Sequence, residues 1–88
     1  MFGKNYYQIN YTEEANDDLS KLPKSLLKII KNAIDTRLTT YPESYGEALY
    51  YEFKGYRRLR VSKYRIIYCI EEDSVIVTSI SHRQNAYK

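Results

Sequence analysis

Lys54-Gly55-Tyr56-Arg57-Arg58-Leu59-Arg60-Val61-Ser62-Lys63-Tyr64-Arg65-Ile66-Ile67-Tyr68 carries six of the chain's fourteen basic residues and no acidic one. Leu59 and Val61 alternate with Arg58 and Arg60, the period of a half-buried strand. Ser62-Lys63 reads as a tight turn, and Tyr64 to Ile70 as a second strand rich in β-branched and aromatic residues. A two-residue turn pairs Val61 with Tyr64, Arg60 with Arg65, Leu59 with Ile66 and Arg58 with Ile67. Leu59, Val61, Tyr64 and Ile66 then share one face, and Arg58, Arg60 and Arg65 the other. Like charges directly opposite in a sheet destabilise it. Stability alone gives no reason to gather them, whereas an anionic ligand such as phosphate does.

The remaining composition sets the scale. Eighty-eight residues form one domain, 1–88, with room for a single modest core. The net charge is +3, and all of the excess lies in residues 45–88, because the acidic and basic residues of 1–44 balance. This asymmetry points to a polyanionic partner. Eleven tyrosines supply large rings for the core and surfaces on which bases can stack. Cys69 is the single cysteine, so no internal disulfide forms and a reducing compartment is expected. No apolar run reaches membrane-spanning length and Met1 to Tyr6 has no signal-peptide core, so the expected location is cytoplasmic, with no membrane partner.

Outward from the hairpin, Tyr6 to Tyr11 alternates and predicts a first strand with Tyr7, Ile9 and Tyr11 facing inward. Thr12 is a helix N-cap, followed by Glu13 and Glu14 in the first turn, where carboxylates suit the helix dipole. This short helix buries Ala15 and Leu19 and runs to about Lys21. Pro23 opens the next helix, about Lys24 to Thr39, whose Leu27, Ile30, Ile34 and Leu38 form an apolar stripe widened by Leu26 and Ala33. Tyr41-Pro42 ends it, and Glu43 to Glu47 reads as a loop. Beyond the hairpin, Glu72-Asp73 is a turn and Ser74 to Ser81 the last strand. The fold class is α+β: an N-terminal strand, a two-helix hairpin, then an antiparallel sheet of three to four strands with both helices on one face. Pairing Ile70 with Val75, Tyr68 with Val77 and Ile66 with Ser79 puts Ile67, Ile76, Thr78 and Ile80 on the arginine face. The same parity brings His82, the lone histidine, to Arg65's side.

Several chemistries are excluded by residue type. One His and one Cys do not make an ordinary zinc site. No Gly-rich phosphate loop, dinucleotide fingerprint or serine nucleophile elbow is present, and the basic face offers no carboxylate cluster for a metal-dependent nuclease. No cofactor is expected. Arginines with one histidine and nearby tyrosines do suit metal-free RNA cleavage. There the ribose 2′-OH attacks the adjacent phosphate, a base takes its proton, cations stabilise the added charge and an acid protonates the departing 5′-oxygen. Arginine grips phosphate through a planar fork, and histidine titrates near neutrality.

Leu22-Pro23-Lys24 after the first helix, Phe53 to Val61 running through Tyr64-Arg65-Ile66-Ile67-Tyr68, and the ending Ser81-His82-Arg83 with Tyr87 together resemble the RelE/ParE toxin superfamily over nearly the whole chain. The resemblance implies a type II toxin–antitoxin toxin of the RelE-like fold. In its RelE-like branch such a toxin is a ribosome-dependent, metal-independent endoribonuclease (an mRNA interferase) that cuts mRNA in the ribosomal A site, against 16S rRNA, and so inhibits translation. A cognate antitoxin silences it as a hetero-oligomer, and the free toxin is expected to be a monomer. By resemblance the catalytic residues fall on Arg65, His82 and Tyr87, the phosphate-binding residues on Lys54, Arg58, Arg60 and Arg83, and a further candidate base on Glu47. The same superfamily holds ParE-like DNA gyrase inhibitors without nuclease activity, which is the alternative function.

Overall fold

A computed structural model describes residues 6–82. Local chemistry places the first elements. Strand β1 (Gln8–Tyr11) ends at Thr12, whose Oγ1 accepts from the Ala15 backbone N–H at 3.2 Å and so caps α1 (Glu13–Ser20). Pro23 is the N-cap of α2 (Lys24–Ala33) rather than its first helical residue, and the helix continues through a π-helical turn, Ile34–Leu38. Pro42 then starts a one-turn helix, α3 (Pro42–Tyr45), and Glu47–Ala48 forms a short strand, β2. Residues 43–47, expected as loop, are therefore ordered. A 3₁₀ turn (Tyr51–Phe53) leads into β3 (Tyr56–Val61), followed by β4 (Tyr64–Glu71) and β5 (Ser74–His82).

The sheet order is β1-β5-β4-β3-β2. Its four last strands are antiparallel to one another, while β1 lies parallel to β5 at the edge, making a five-stranded mixed sheet. The expected α+β architecture holds: the antiparallel part has four strands, and the N-terminal strand joins the same sheet as its fifth. Ala15, Leu19, Ile30, Ala33, Ile34 and Leu38 from the helices pack against Leu59, Val61, Ile66, Tyr68, Val75, Val77 and Ile80 from one sheet face. That face is the core, and the helices stand on it alone. Tyr7, Ile9 and Tyr11 pack against the same cluster, as their parity requires.

The β3–β4 ladder has the register expected from the two-residue turn, from Val61–Tyr64 and Arg60–Arg65 through Leu59–Ile66 and Arg58–Ile67. Ser62 and Glu72 open their two turns at φ 56° and 55°, the positive φ that primed hairpin turns demand and that glycine ordinarily supplies. The β4–β5 ladder departs from expectation. Ile70–Val75 and Tyr68–Val77 pair as read, but a bulge follows, and Ile67 lies opposite Ser79, Ile66 opposite Ile80, and Tyr64 opposite His82. Thr78 is the extra residue. Its Oγ1 donates to the Ile67 carbonyl at 3.2 Å, while its own carbonyl accepts from Thr12 Oγ1 at 3.1 Å. One inserted residue reverses every facing beyond it. Ile80 consequently turns into the core, and its N–H donates to Asp18 Oδ2 at 2.8 Å, where α1 replaces β1 along the strand edge.

Candidate nucleic-acid interface

The sheet face without helices carries the arginines. Strand alternation sends Arg58, Arg60 and Arg65 there, opposite Leu59, Val61 and Ile66 in the core. Arg65 is 9% exposed, the one buried charged side chain among the described residues. It shares a hollow of about 670 Å³ with Arg58, Leu49, Phe53, Tyr56 and Ile67, floored by Thr78, Ser79 and Ser81 of β5 and also reached by Glu14 and Glu52. A second hollow, about 480 Å³, collects Arg37, Tyr45, Glu47, Arg58 and Arg60 at the outer edge of β3. Arg58 borders both hollows.

Glu47 is built into this face by the turn before it. Arg57, pairing with Tyr68 in the ladder, donates through Nη2 to the Glu43 carbonyl at 2.7 Å and the Gly46 carbonyl at 2.6 Å. Tyr68 Oη donates to the Pro42 carbonyl at 2.5 Å. A Cβ at residue 46 would come within 2.1 Å of that hydroxyl, so only glycine lets the chain pass. The result holds β2 against β3 with Glu47 opposite Arg58, and Glu47 Oε1 accepts from Arg58 Nη2 at 2.5 Å. The hydrogen bond from Arg58, then the charges of Arg58 and Arg60, hold the Glu47 carboxyl below the usual carboxylate range. It is an anion at neutral pH and blocks one side of Arg58.

The sequence-expected residues therefore fall in different places. Arg58, Arg60, Arg65 and Glu47 converge on the open face. His82 does not join them. The bulge sets it opposite Tyr64, and its ring meets the Tyr64 ring edge-on, with centroids 5.2 Å apart and planes at 77°. The shared face expected for Arg65 and His82 is thus corrected, because the period-2 count skipped Thr78. Lys54 follows the 3₁₀ turn, before Gly55 at φ 95°, and is exposed outside both hollows. Arg83 and Tyr87 lie outside the described residues. Cys69 has its thiol pushed up by burial and then by Glu71, the opposite of what activates a nucleophile.

Two features escaped the sequence reading. Arg57 is a structural clamp, indistinguishable by type from its neighbour Arg58 and separated from it only by strand parity. Arg37 reaches the outer hollow from the π-helical turn, a position that helical spacing alone assigns to solvent. The aromatic run before β3 is also unusually open. Tyr51 is 95% exposed and sits at φ 62°, a conformation that is strained for a bulky side chain.

Comparison with known proteins bears on both the fold and the family. A family model described as ParE toxin of type II toxin–antitoxin system, parDE, matches residues 9–87. Toxin RelG of Mycobacterium tuberculosis is 29% identical over 84 residues, covering 93% of this chain and 97% of that protein. The crystal structure of the toxin–antitoxin complex RelBE2 from the same organism contains a chain that superposes with a TM-score of 0.84 at 29% identity, over 89% of this chain and 99% of that one. The fold alone is shared with the chromosomal ParDE system of P. aeruginosa, at a TM-score of 0.72 and 12% identity over 86% of this chain and 95% of that one. Among the described residues no helix is long and apolar enough to cross a membrane. The chain belongs to the ParE toxin family, a type II toxin–antitoxin toxin of the RelE/ParE superfamily.

Proposed function

We propose that this toxin is a metal-independent endoribonuclease that cuts mRNA in the ribosomal A site and stops translation. The observation that carries the reading is Arg65, buried on the helix-free sheet face with Arg58 beside it in one hollow. Arg65 grips the scissile phosphate and stabilises the charge that builds as the 2′-OH attacks, while Arg58 and Arg60 hold the flanking backbone. We assign the proton acceptor to Glu47 rather than His82, since Glu47 lies on Arg58 and His82 faces Tyr64 across the sheet. Phosphate binding at Arg58 displaces Glu47, and loss of that partner raises the carboxylate's proton affinity toward its ordinary value. The base thus strengthens as substrate arrives. Lys54, Arg83 and Tyr87 are carried over from the family resemblance as further phosphate contacts and, for Tyr87, a proton-handling or stacking group. A cognate antitoxin is the regulatory partner, as in the RelBE2 complex.

The test is mRNA cleavage in a reconstituted translating ribosome. Arg65→Ala and Glu47→Gln are expected to lose cleavage while remaining folded, and His82→Asn to retain most of it. Loss with His82→Asn and retention with Glu47→Gln would reverse the assignment of the base. A second reading has its own support, because the family model that matches is that of ParE. In that reading the chain inhibits DNA gyrase without cutting RNA. A supercoiling assay separates the two: inhibition by purified protein, with no new mRNA 5′ ends, selects the gyrase reading.

A further inference from the structure

We propose that Phe53 and Tyr56 form a stacking wall for a nucleobase of single-stranded RNA, beside the phosphate held by Arg65. The proposal rests on the RNA-directed reading above and adds a base-binding subsite to it. Both rings are uncovered, at 55% and 37% exposure, although water is an unfavourable neighbour for so much apolar surface. Both line the same hollow as Arg58 and Arg65, so a base one nucleotide from the gripped phosphate falls on them. The volume, about 670 Å³, lies inside the range of about 300–1,000 Å³ typical of small-ligand sites.

The hollow carries side chains of both charges. Arg58 and Arg65 attract phosphate, whereas Glu14 and Glu52, which also line it, repel phosphate and accept hydrogen bonds from base N–H groups. A nucleotide therefore enters with its phosphate toward the arginines and its base toward the rings. The backbone fixes the wall at both ends: Phe53 closes the 3₁₀ turn, and Tyr56 opens β3, opposite Cys69 of β4. Stacking tolerates any base because each has a π-face, so this subsite supplies affinity and register rather than strict sequence choice.

The probe is a single-stranded RNA oligonucleotide with 2′-O-methyl ribose at every position, which removes the attacking hydroxyl so that cleavage does not obscure binding. Abasic sites are scanned along it at low salt. Wild-type protein is expected to lose about tenfold in affinity at one abasic position, the scale of one base stacked on an aromatic side chain. Phe53→Ala with Tyr56→Ala is expected to bind the intact oligonucleotide that weakly and to be insensitive to the same abasic site. Phe53→Trp with Tyr56→Trp, which keeps two rings, is expected to restore both binding and abasic sensitivity. Tyr6→Ser, before β1 at the far edge of the sheet, is expected to change nothing, and circular dichroism melts check that each variant is folded. If the alanine pair binds intact RNA like wild type while Arg65→Ala does not, the stacking wall is overturned and the phosphate site stands. If wild-type protein shows no abasic sensitivity at any position, the wall is overturned, while the RNA-directed reading stands or falls separately on the cleavage assay in translating ribosomes.

Discussion

The central strand β4 pairs with β3 in one unbroken register from Tyr56–Cys69 to Val61–Tyr64, whereas against β5 the register slips between Ile67 and Tyr68. The two ladders are built from similar residues and joined by similar two-residue turns. They differ because α1 begins beside β5. Thr12 caps that helix and also holds the Thr78 carbonyl, and Asp18 takes the Ile80 N–H. The strand is pulled toward the helix at the point where β1 stops. One ladder keeps the arginines together on the open face, and the other carries the histidine away from them. Sheet parity is thus a local property that a single inserted residue can reset.

Ile80→Ala is the severest way to test this contrast. The bulge turns Ile80 into the core opposite Ile66, whereas an unbroken period-2 count would leave it on the open face, where truncation costs little. A loss of about 3 kcal/mol or more is expected, the scale of emptying a buried aliphatic site, measured by urea denaturation. Stability within experimental error of wild type would show that the bulge does not decide the facing.

Arg65→Ala tests the unbroken ladder. Removal of one preorganised donor is expected to reduce cleavage about 100-fold or more, with Arg65→Lys giving back only part, because an ammonium lacks the planar fork. Unchanged cleavage in translating ribosomes would remove Arg65 from the chemistry.

The neighbours Ile66 and Ile67 sharpen the contrast between the two faces. Ile66 is fully buried among core residues, and Ile67 is half-buried in the arginine hollow. Ile66→Ala is expected to cost about 2–5 kcal/mol and Ile67→Ala about 1 kcal/mol, in proportion to burial. Equal costs in chemical denaturation would mean that the open face is packed as tightly as the core.

The smallest effect concerns Tyr11, at the β1 edge where the two ladders' difference originates. Burial, and then the charge of Asp35, push its hydroxyl up to about 12 from 10.0. A group whose folded pKa is raised gives stability that is full below the unfolded value and is lost as pH rises. Thermal stability is therefore expected to fall between about pH 10 and 12, and Tyr11→Phe to make that fall shallower. An unaltered alkaline profile in the phenylalanine variant would contradict this.

Much of the molecule was legible from residue order. Thr12 and the Leu27, Ile30, Ile34 and Leu38 stripe announce the helices because capping and helical period are local. Leu59, Val61, Arg58 and Arg60 announce the hairpin because a two-residue turn sets the register of its own strands. The parallel pairing of β1 with β5 lay beyond local pattern, since it joins segments more than sixty residues apart. So did the one-turn helix at Pro42, which depends on Arg57 and Tyr68 closing the chain over Gly46.

The alternation in residues 58–67 by itself determined that three arginines share one face of a β-hairpin, because side chains on a strand have no other way to alternate. Only the tertiary structure decided what stands beside them. Gly46, pressed against the Tyr68 hydroxyl, brings Glu47 onto Arg58, and the bulge at Thr78 turns His82 toward Tyr64. Both outcomes hang on long-range hydrogen bonds, from Arg57 to the Gly46 carbonyl and from Thr12 to the Thr78 carbonyl, and such bonds exist only once distant segments have packed together.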